Sequence, residues 1–424
     1  MKINSLLLIF VSFFFIACSQ KNVQIADLEK YSQNPSSYIK NFKEIDLNQE
    51  KLAKEFVKNY FSPWDTEKIS FTKKESMWGN YYASKEIYLE NHNLASKEWF
   101  NKQIENSNFD DFNKVLQKAI TSKNTNFRVF PTNNKMFYNP KKAGEGFPFD
   151  YNQNSRVKIN TPVLISHYSK DRAWAFVESH YVLGWVRIDN LLLVDNEIEK
   201  KFKTDELYVI TKEGFTIFGK NIVEDLKVGT FFPKKDNKYL LASSNGLKEV
   251  DIEKYKIKKL PLEFNSTNIE ILSKEFIGEL YGWGGLNNHR DCSSFTQDFF
   301  APYGIYLKRN SRGQTELHKY IDLSKFSQEK KKEYIKENAI PFLTLIYLRG
   351  HIMLYIGLKD DEPIVMHNMW GVRTREFPFS QGRNIVGKTV ITTLEPGLEL
   401  NNVNKNKTIL QKIQGIVLLN QKKD

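Results

Sequence analysis

The spacing of apolar residues changes along the chain, and the changes divide it into segments. From residue 42 to residue 124 apolar residues recur every three or four positions, as at Leu52, Phe56 and Tyr60, which predicts amphipathic helices. The same spacing from Phe112 to Ala119 predicts another helix. Residues 42–124 are therefore expected to form a helical N-terminal region.

Short runs rich in β-branched and aromatic residues follow, separated by turn residues. This pattern predicts two small β-barrels in tandem. The first, residues 125–200, has strands predicted at Phe127–Phe130, Thr161–Ser166, Ala173–Val177 and Gly184–Ile188. The second, residues 201–264, has strands predicted at Glu206–Ile210, Phe215–Phe218, Gly229–Phe232 and Tyr239–Ala242.

The last part of the chain mixes helical and strand patterns. Residues 265–396 are expected to form one domain with one or two helices and a set of strands, so the fold class is α+β. Residues 397–424 are expected to be a tail, because they are rich in asparagine and lysine. The apolar residues between Ile409 and Val417 are spaced for a short helix that docks on the body.

The first 17 residues have the pattern of an export signal. Lys2 precedes an apolar run from Leu6 to Phe15, which is too short to span a membrane comfortably. The sequence Phe15-Ile-Ala-Cys18 resembles a bacterial lipobox, which implies that residues 1–17 are removed and that Cys18 becomes an acylated first residue. The alternatives are an ordinary secretory signal and a single anchor helix.

Polar residues dominate directly after this signal. Asn34 and Pro35 interrupt any periodicity, so residues 18–41 are expected to be a tether between the lipid and the first folded unit. Ser19, in place of an aspartate, favours delivery to the periplasmic face of the outer membrane. The mature protein is therefore expected to be extracytoplasmic and held at the membrane by its lipid.

Composition fits an exported protein with several globular domains. The 424 residues are 41% hydrophobic and 14% aromatic, which is enough for several packed cores. The net charge of +12 comes from scattered lysines without an arginine-rich stripe, so a nucleic acid partner is not expected. A cell-wall polymer or acidic lipid headgroups would fit this charge better.

Cys292 points most directly to chemistry. The only other cysteine is Cys18, so Cys292 is expected to be a lone thiol. Three glycines precede it, and Phe295 and Phe299 follow at helical spacing, which puts the cysteine in the first turn of a helix. There the helix dipole and free N–H groups favour a thiolate, and one N–H group can face an oxyanion.

Two histidines lie on predicted strands downstream. A predicted tight turn joins the strands Phe342–Leu348 and His351–Ile356, and Pro363–His367 is the next strand. Antiparallel pairing would bring His351 and His367 together. A thiolate, a histidine base and a second polar residue that orients the base form an acyl-transfer site. We assign these roles to Cys292, His351 and His367.

Five sequence blocks in order resemble the NlpC-type cell-wall cysteine peptidases of the papain-like class. The blocks are Tyr281–Gly285, Asp291–Ser293, Gly304–Gln314, Gly350–Gly357 and His367–Gly371. The barrel patterns resemble bacterial SH3-like modules, through Trp185-Val-Arg-Ile188 in the first and through strand spacing alone in the second. The resemblance covers most of the mature chain.

The resemblance implies a fold and an activity. The fold would be a papain-like NlpC-type peptidase domain preceded by two SH3-like β-barrels and a helical stabilising region. The activity would be hydrolysis of the γ-D-glutamyl to diamino acid (meso-diaminopimelate) bond in peptidoglycan stem peptides or muropeptides, through a thioester. In that reaction Cys292 would be the nucleophile, His351 the base and His367 its orienting partner.

The resemblance also implies substrate contacts. Asp291 would face the free amine of an N-terminal L-alanine, and Ser293 would contact the glutamyl residue. Tyr281 would help to line the site around the developing oxyanion. Arg309 and Gln314 are expected to be structural supports.

Two alternatives are compatible with the same residues. A transferase would form the same acyl-enzyme and give the acyl group to an amine or alcohol. A wall-binding scaffold lipoprotein would have lost activity in the cysteine domain. No metal or organic cofactor is expected, because the cysteine and histidines lack the spacing of a zinc site and no glycine-rich phosphate loop precedes a helix.

Overall fold

The computed structural model describes residues 22–219, 222–376 and 380–423. The predicted signal peptide, residues 1–17, and Cys18 lie outside these ranges. Within them, no helix is long and apolar enough to cross a membrane.

Short helices are spread along the described residues. Polar side chains cap several of them: Asn48 accepts a hydrogen bond from the first turn of α2, and Ser96 does so in α4. The α-helices are α1 (Asp27–Lys30), α2 (Gln49–Phe61), α3 (Lys73–Ser76), α4 (Lys97–Asn106), α5 (Asn196–Phe202), α6 (Ser266–Lys274), α7 (Cys292–Phe300), α8 (Gln328–Asn338) and α9 (Ile409–Lys412).

The first barrel predicted from the sequence corresponds to a seven-stranded antiparallel sheet with the order β3-β2-β6-β5-β4-β1-β7. Its core contains Phe127, Val163, Val177 and Val186. We call this unit module 1. Its strands are β1 (Gln117–Thr121), β2 (Thr125–Arg128), β3 (Gln153–Val157), β4 (Pro162–Tyr168), β5 (Trp174–Ser179), β6 (Leu183–Arg187) and β7 (Leu191–Leu193).

The second barrel corresponds to a five-stranded sheet, β13-β12-β11-β8-β14, and a separate hairpin of β9 and β10. We call this unit module 2. All four predicted strands are present with bounds shifted by one to three residues. The strands are β8 (Leu207–Ile210), β9 (Thr216–Gly219), β10 (Ile222–Asp225), β11 (Phe231–Lys235), β12 (Lys238–Ser243), β13 (Gly246–Val250) and β14 (Ile257–Lys259).

The third unit is the domain that carries Cys292. Helices α6 and α7 accompany a six-stranded antiparallel sheet with the order β15-β20-β16-β17-β18-β19, and α7 packs against β17 and β18. The strands are β15 (His318–Asp322), β16 (Thr344–Leu348), β17 (His351–Lys359), β18 (Glu362–Glu376), β19 (Ser380–Thr392) and β20 (Ile413–Lys422).

The prediction of a tail for residues 397–424 is wrong for residues 413–422. The short helix exists as α9, but the chain then forms β20, which lies between β15 and β16. Ile416 and Val417 are completely buried. A strand that is covered on both faces is apolar without alternation, so its spacing resembles that of a buried helix.

The helix predicted from Phe112 to Ala119 is also wrong. Asn113 and Leu116 have φ angles of 61° and 52°, which end any helical run, and β1 begins at Gln117. Phe112 instead packs with Phe109 against the ring of His167 in module 1. By contrast, the helix predicted around Leu52 to Tyr60 is confirmed as α2.

Residues 22–41 do not form the predicted tether. Ile25, Tyr31 and Tyr38 are buried against the cysteine domain. Asp27 accepts hydrogen bonds from the backbone and hydroxyl of Thr393, at 2.7 and 2.8 Å. The segment is polar because its side chains form hydrogen bonds with the surface of the domain. The sequence alone does not distinguish such side chains from polar side chains that face solvent.

Module 1, module 2 and the cysteine domain meet next to α7 in a buried group of charges, which we call the ion network. Arg290 donates to Glu213, Glu279 and Asp298. Lys227 bonds Glu213 and Glu279, and Lys158 pairs with Asp298. Module 1 supplies Lys158, module 2 supplies Glu213 and Lys227, and the cysteine domain supplies the rest. The network therefore fixes both modules against the helix that carries Cys292.

Candidate active site

Cys292 is the first residue of α7, and its neighbours fix the start of that helix. Asp291 is the N-cap: its carboxylate accepts hydrogen bonds from the backbone N–H groups of Ser293 and Ser294, at 3.1 and 2.8 Å. Ser294 completes a capping box by accepting from the N–H group of Asp291. The predicted position of Cys292 in a first helical turn is confirmed.

The glycines before the cysteine allow its loop to dock on module 1. Gly284 and Gly285 have φ angles of 59° and 84°. A Cβ atom on Gly285 would lie 2.2 Å from the Cβ atom of Arg156. Gln153 of β3 donates to the carbonyl of Gly284 at 3.0 Å. Larger residues here would separate module 1 from the cysteine loop.

Cys292 is buried, with 7% of the residue exposed. Burial, followed by the negative charge of Asp291, raises the pKa of Cys292 to about 12, although hydrogen bonding from the Ile352 backbone and the charge of Arg309 act in the opposite direction. Hydrogen bonding from the Ser293 backbone, in the first turn of the helix, acts to lower the pKa of the thiol, as the sequence predicts. Desolvation outweighs the helix dipole, so the resting group is a neutral thiol.

The two predicted histidines are brought together by the pairing of β17 with β18. His351 Nε2 lies 2.8 Å from His367 Nδ1, and His367 Nε2 lies 3.0 Å from the hydroxyl of Thr392 on β19. That hydroxyl donates its hydrogen to the Thr393 carbonyl at 2.8 Å, so it accepts from His367.

The direction of this hydrogen-bond chain fixes the tautomer of both rings. His367 carries its proton on Nε2 and accepts on Nδ1, so His351 carries its proton on Nε2. Burial lowers the pKa of His351 to about 4, and burial together with the charge of His351 lowers the pKa of His367 well below its ordinary value. The neutral His351 ring therefore has a free acceptor at Nδ1, which is what a general base requires.

Thr392 was not among the residues chosen from the sequence, and neither was Asp27. Asp27 bonds Thr393, whose carbonyl accepts from Thr392, and Thr392 orients His367. A threonine on a strand has no distinguishing sequence pattern. Asp27 is 366 residues from Thr393, and only the folded chain brings them together.

Asp291 forms an ion pair at the wall of the cleft. Arg309 Nη1 and Nη2 donate to its two carboxylate oxygens at 3.1 and 2.8 Å. Burial acts to raise the pKa of Asp291, but the charge and hydrogen bonds of Arg309 outweigh it and lower the pKa. Arg309 also donates to Ser155 of module 1 at 2.7 Å. Module 1 thus helps to position the charged pair.

Ser293 and Tyr281 lie beside this pair. The Ser293 hydroxyl donates to Asp291 and accepts from Arg309 Nη1, both at 3.0 Å. Burial, followed by the charges of Cys292 and Asp291, raises the pKa of Tyr281 well above its ordinary value. Tyr281 therefore keeps its phenolic proton and can donate to an oxyanion.

The site opens into two adjoining cavities. The first, which we call the cysteine cavity, measures about 740 Å³ and is lined by Cys292, Asp291, Ser293 and Arg309 together with Trp78 and Leu183. The second, the histidine cavity, measures about 310 Å³ and is lined by His351. Tyr281, Trp283 and Gly350 border both. The N-terminal region and module 1 form part of the walls, so the cleft is narrower than the cysteine domain alone would make it.

Helix α7 carrying the cysteine, packed on strands that carry the histidine pair, defines the α+β fold and site of a papain-like cysteine peptidase. Three family models match the chain: "NLPC_P60 stabilising domain, N term" at residues 7–112, "SH3 domain (SH3b1 type)" at residues 135–187, and "NlpC/P60 family" at residues 278–378. The chain therefore carries an NlpC/P60 peptidase domain, preceded by the stabilising domain found with it and by an SH3 domain. The predicted fold class is confirmed.

One solved structure extends this similarity over most of the fold. An NlpC/P60 endopeptidase from Photobacterium damselae subsp. piscicida is 24% identical, with a TM-score of 0.83 over 93% of this chain and 98% of that chain. An NlpC/P60 family protein from Bacillus cereus is 15% identical, with a TM-score of 0.42 over 62% and 81% of the two chains. No curated protein sequence matches the chain. The assignment of module 2 as a second SH3-like barrel stays a prediction, since the family model covers module 1.

Proposed function

We propose that this peptidase hydrolyses the bond between γ-D-glutamate and the diamino acid, meso-diaminopimelate, in peptidoglycan stem peptides. The observation that carries the proposal is the hydrogen-bond chain from Thr392 through His367, which leaves Nδ1 of His351 free to accept a proton. The family to which the chain belongs acts in general on peptidoglycan.

The chemistry requires the thiol to lose its proton as it attacks, because Cys292 and His351 are both neutral at rest. His351 Nδ1 takes the thiol proton while the sulfur bonds to the γ-carbonyl carbon. The N–H group of Cys292, which has no hydrogen-bond partner among the described residues, and the Tyr281 hydroxyl stabilise the oxyanion.

Collapse of this intermediate breaks the C–N bond. His351 gives its proton to the leaving amine, which departs and leaves a thioester on Cys292. A water molecule then attacks the thioester, His351 accepts its proton, and the released thiolate takes that proton back. His367 holds the imidazole in one orientation through both steps.

The walls of the cysteine cavity support a short acyl portion with a free amine. Asp291 is suited to an ammonium group, and Arg309 holds its carboxylate in place. Ser293 adds a hydroxyl that can donate or accept. The N-terminal region limits the length of chain on this side. The proposed substrate is therefore a stem peptide that begins with L-alanine.

The leader supports an additional proposal on location. We propose that Cys18 is acylated and that the lipid holds the protein at the periplasmic face of the outer membrane. Detergent should be needed to extract the mature protein, and Cys18→Ala should leave it soluble or unprocessed. Identical membrane fractionation of the two forms would rule the anchor out.

The activity is tested with the soluble chain from Ser19 onward and defined muropeptides, with mass spectrometry as the readout. We expect cleavage between D-glutamate and meso-diaminopimelate when the L-alanine amine is free, and no cleavage by Cys292→Ala. A substrate with an acetylated amine measures the contribution of Asp291. Transfer of the acyl group to an added amine without hydrolysis would favour the transferase, and absence of any reaction would favour the scaffold.

A further inference from the structure

The histidine cavity has a basic wall that the reaction described above does not use. Arg373 on β18 and Arg383 on β19 lie directly opposite each other in the antiparallel pair. Lys407 and Lys412, at either end of the segment that contains α9, line the same cavity. We call these four side chains the basic cluster.

The members of the basic cluster have no acidic partners. Among the residues that the structure describes, no carboxylate lies within ion-pair distance of any of the four, and none of their side chains makes a hydrogen bond. Arg290 and Arg309, in contrast, each bond to buried carboxylates. The positive charges of the basic cluster are thus not neutralised by carboxylates of the protein.

Keeping these charges together is unfavourable for the protein. Burial, then the charge of Arg373, lowers the pKa of Arg383 to about 10. Burial, then the charges of Arg373, Lys407 and Arg383, lowers the pKa of Lys412 to about 8. Like charges directly opposite on paired strands also destabilise a sheet. Residues arranged at such a cost to stability are typical of binding sites.

The position of His351 shows which part of a substrate this cavity would hold. The cysteine cavity contains the nucleophile, so it takes the acyl portion. His351 must give its proton to the leaving amine, and His351 lines the histidine cavity. The leaving portion of the substrate therefore extends past His351 toward the basic cluster. This step rests on the proposed function.

We propose that the histidine cavity is a subsite for the leaving portion and that the basic cluster selects a leaving amine that bears two carboxylates. A meso-diaminopimelate residue followed by D-alanine has one carboxylate on its side chain and one at its C-terminus. Two pairs of cations can bind two carboxylates, whereas a lysine residue in the same place would put an ammonium group against the cluster.

Other features of the cavity agree with a zwitterionic amino acid as the ligand. Asn404, 8% exposed, lines the cavity, and its Oδ1 atom has no hydrogen-bond partner among the described residues. Such an acceptor suits the side-chain ammonium of diaminopimelate. On the module 1 side, a Cβ atom on Gly144 would lie 2.8 Å from Arg383 Nη2, so the loop of module 1 covers the guanidinium closely. The volume of about 310 Å³ is enough for one small ligand.

Direct binding tests the subsite without catalysis. The probe is the dipeptide meso-diaminopimelyl-D-alanine, titrated calorimetrically into the Cys292→Ala chain from Ser19 onward, beside the same dipeptide with both carboxylates converted to amides. We expect the diacid to bind at least about tenfold more tightly than the diamide. We also expect Arg383→Gln and Lys412→Gln each to weaken diacid binding by about tenfold.

Matched controls are available in the same segments. Arg375 and Lys405 are exposed and do not line the cavity, so Arg375→Gln and Lys405→Gln should change the dissociation constant by less than about twofold. Diacid binding should weaken as salt is added, since the cluster is partly exposed. Folding is checked by thermal melting, where Arg383→Gln should melt no lower than its parent because it removes a repulsion.

Several outcomes would overturn the subsite. They are equal binding of the diacid and the diamide, equal losses in the cluster and control variants, and binding of inorganic phosphate as tight as that of the diacid, which would indicate a general oxyanion site. If the active chain cleaves stems with amidated and free leaving groups equally well, the subsite is wrong and the endopeptidase stands. If no stem is cleaved but the diacid binds and Arg383→Gln weakens it, the subsite stands and the proposed function is wrong.

Discussion

The ion network behind α7 and the basic cluster of the histidine cavity differ in how their charges are paired. In the ion network, Arg290 alone bonds to three carboxylates, and the two lysines complete the pairing. The four cations of the basic cluster, which line the histidine cavity together with Arg349, have no carboxylate within reach among the described residues.

Pairing distinguishes charges that stabilise the fold from charges that are available to bind a ligand. A buried cation that is fully paired holds units together, and removing it leaves its partners unpaired. Removing a cation that the fold leaves unpaired breaks no contact inside the protein. We therefore expect such a cation to bind a group that does not belong to the chain. Charge content alone, as read from the sequence, does not distinguish the two groups.

The largest loss of stability is expected when the ion network is broken. Arg290→Met leaves Glu213, Glu279 and Asp298 with two lysines for three carboxylates. We expect the free energy of unfolding to fall by about 4 kcal/mol, measured by urea unfolding. Arg373→Gln is the matched substitution in the basic cluster, and it should not lower the free energy of unfolding. If both variants lose the same stability, the distinction between the groups is wrong.

Acid should weaken the ion network at a defined pH. Burial acts to raise the pKa of Glu213, but the charges of Arg290 and Lys227 outweigh it and hold the pKa at about 2, below the ordinary 4.5. Because the folded pKa is the lower one, the stabilisation is complete above about pH 4.5 and is lost as the pH falls toward 2. Its size is on the order of 3 kcal/mol.

Unfolding measured between pH 6 and pH 2.5 checks this window. Glu213→Gln should lose less stability on acidification than the parent, because the titrating group is gone. Arg383→Gln should follow the parent curve, since no carboxylate of the basic cluster titrates there. A parental slope in Glu213→Gln would assign the acid sensitivity to other carboxylates.

A weaker effect is predicted at the histidine pair. Thr392→Val removes the acceptor that orients His367 but touches neither charged group. We expect kcat to fall by about tenfold with KM unchanged, because the base is kept and only its orientation is loosened. Thr389→Val is the control: this buried threonine on the same strand has no hydroxyl partner among the described residues. Unchanged kcat in Thr392→Val would mean that the chain of hydrogen bonds does not set the tautomer.

Local sequence patterns were sufficient to predict much of the secondary structure. The helix around Phe56 was predicted because it buries one face at a helical period, and four of the seven strands in each module were predicted from short runs of β-branched and aromatic residues between turn residues. The strand β20 was predicted as a helix because it is buried on both faces, which removes the alternation that identifies a strand. Residues 22–41 were predicted as a tether because their polar contacts are with the folded domain, and the sequence does not show such partners.

The candidate site was predictable only in part, for a similar reason. Cys292, His351 and His367 have reactive side chains and lie in recognisable surroundings, so sequence reasoning found them. Thr392, Asp27 and the basic cluster depend on which segments meet in space. The protonation of Cys292 also depends on burial, which outweighs the local effect of the helix start.

Strand β20 has a consequence for the order in which the enzyme is assembled. It lies between β15 and β16, so β15 has no strand partner and β16 is paired on one side only until residues 413–422 have been synthesised. The modules precede it in the chain and can fold first, as N-terminal units generally do during synthesis. The sheet beneath the histidines closes only after these last residues arrive. A growing or truncated chain that ends before Ile413 is therefore expected to lack an active cleft, which limits proteolysis to molecules whose synthesis has passed that point.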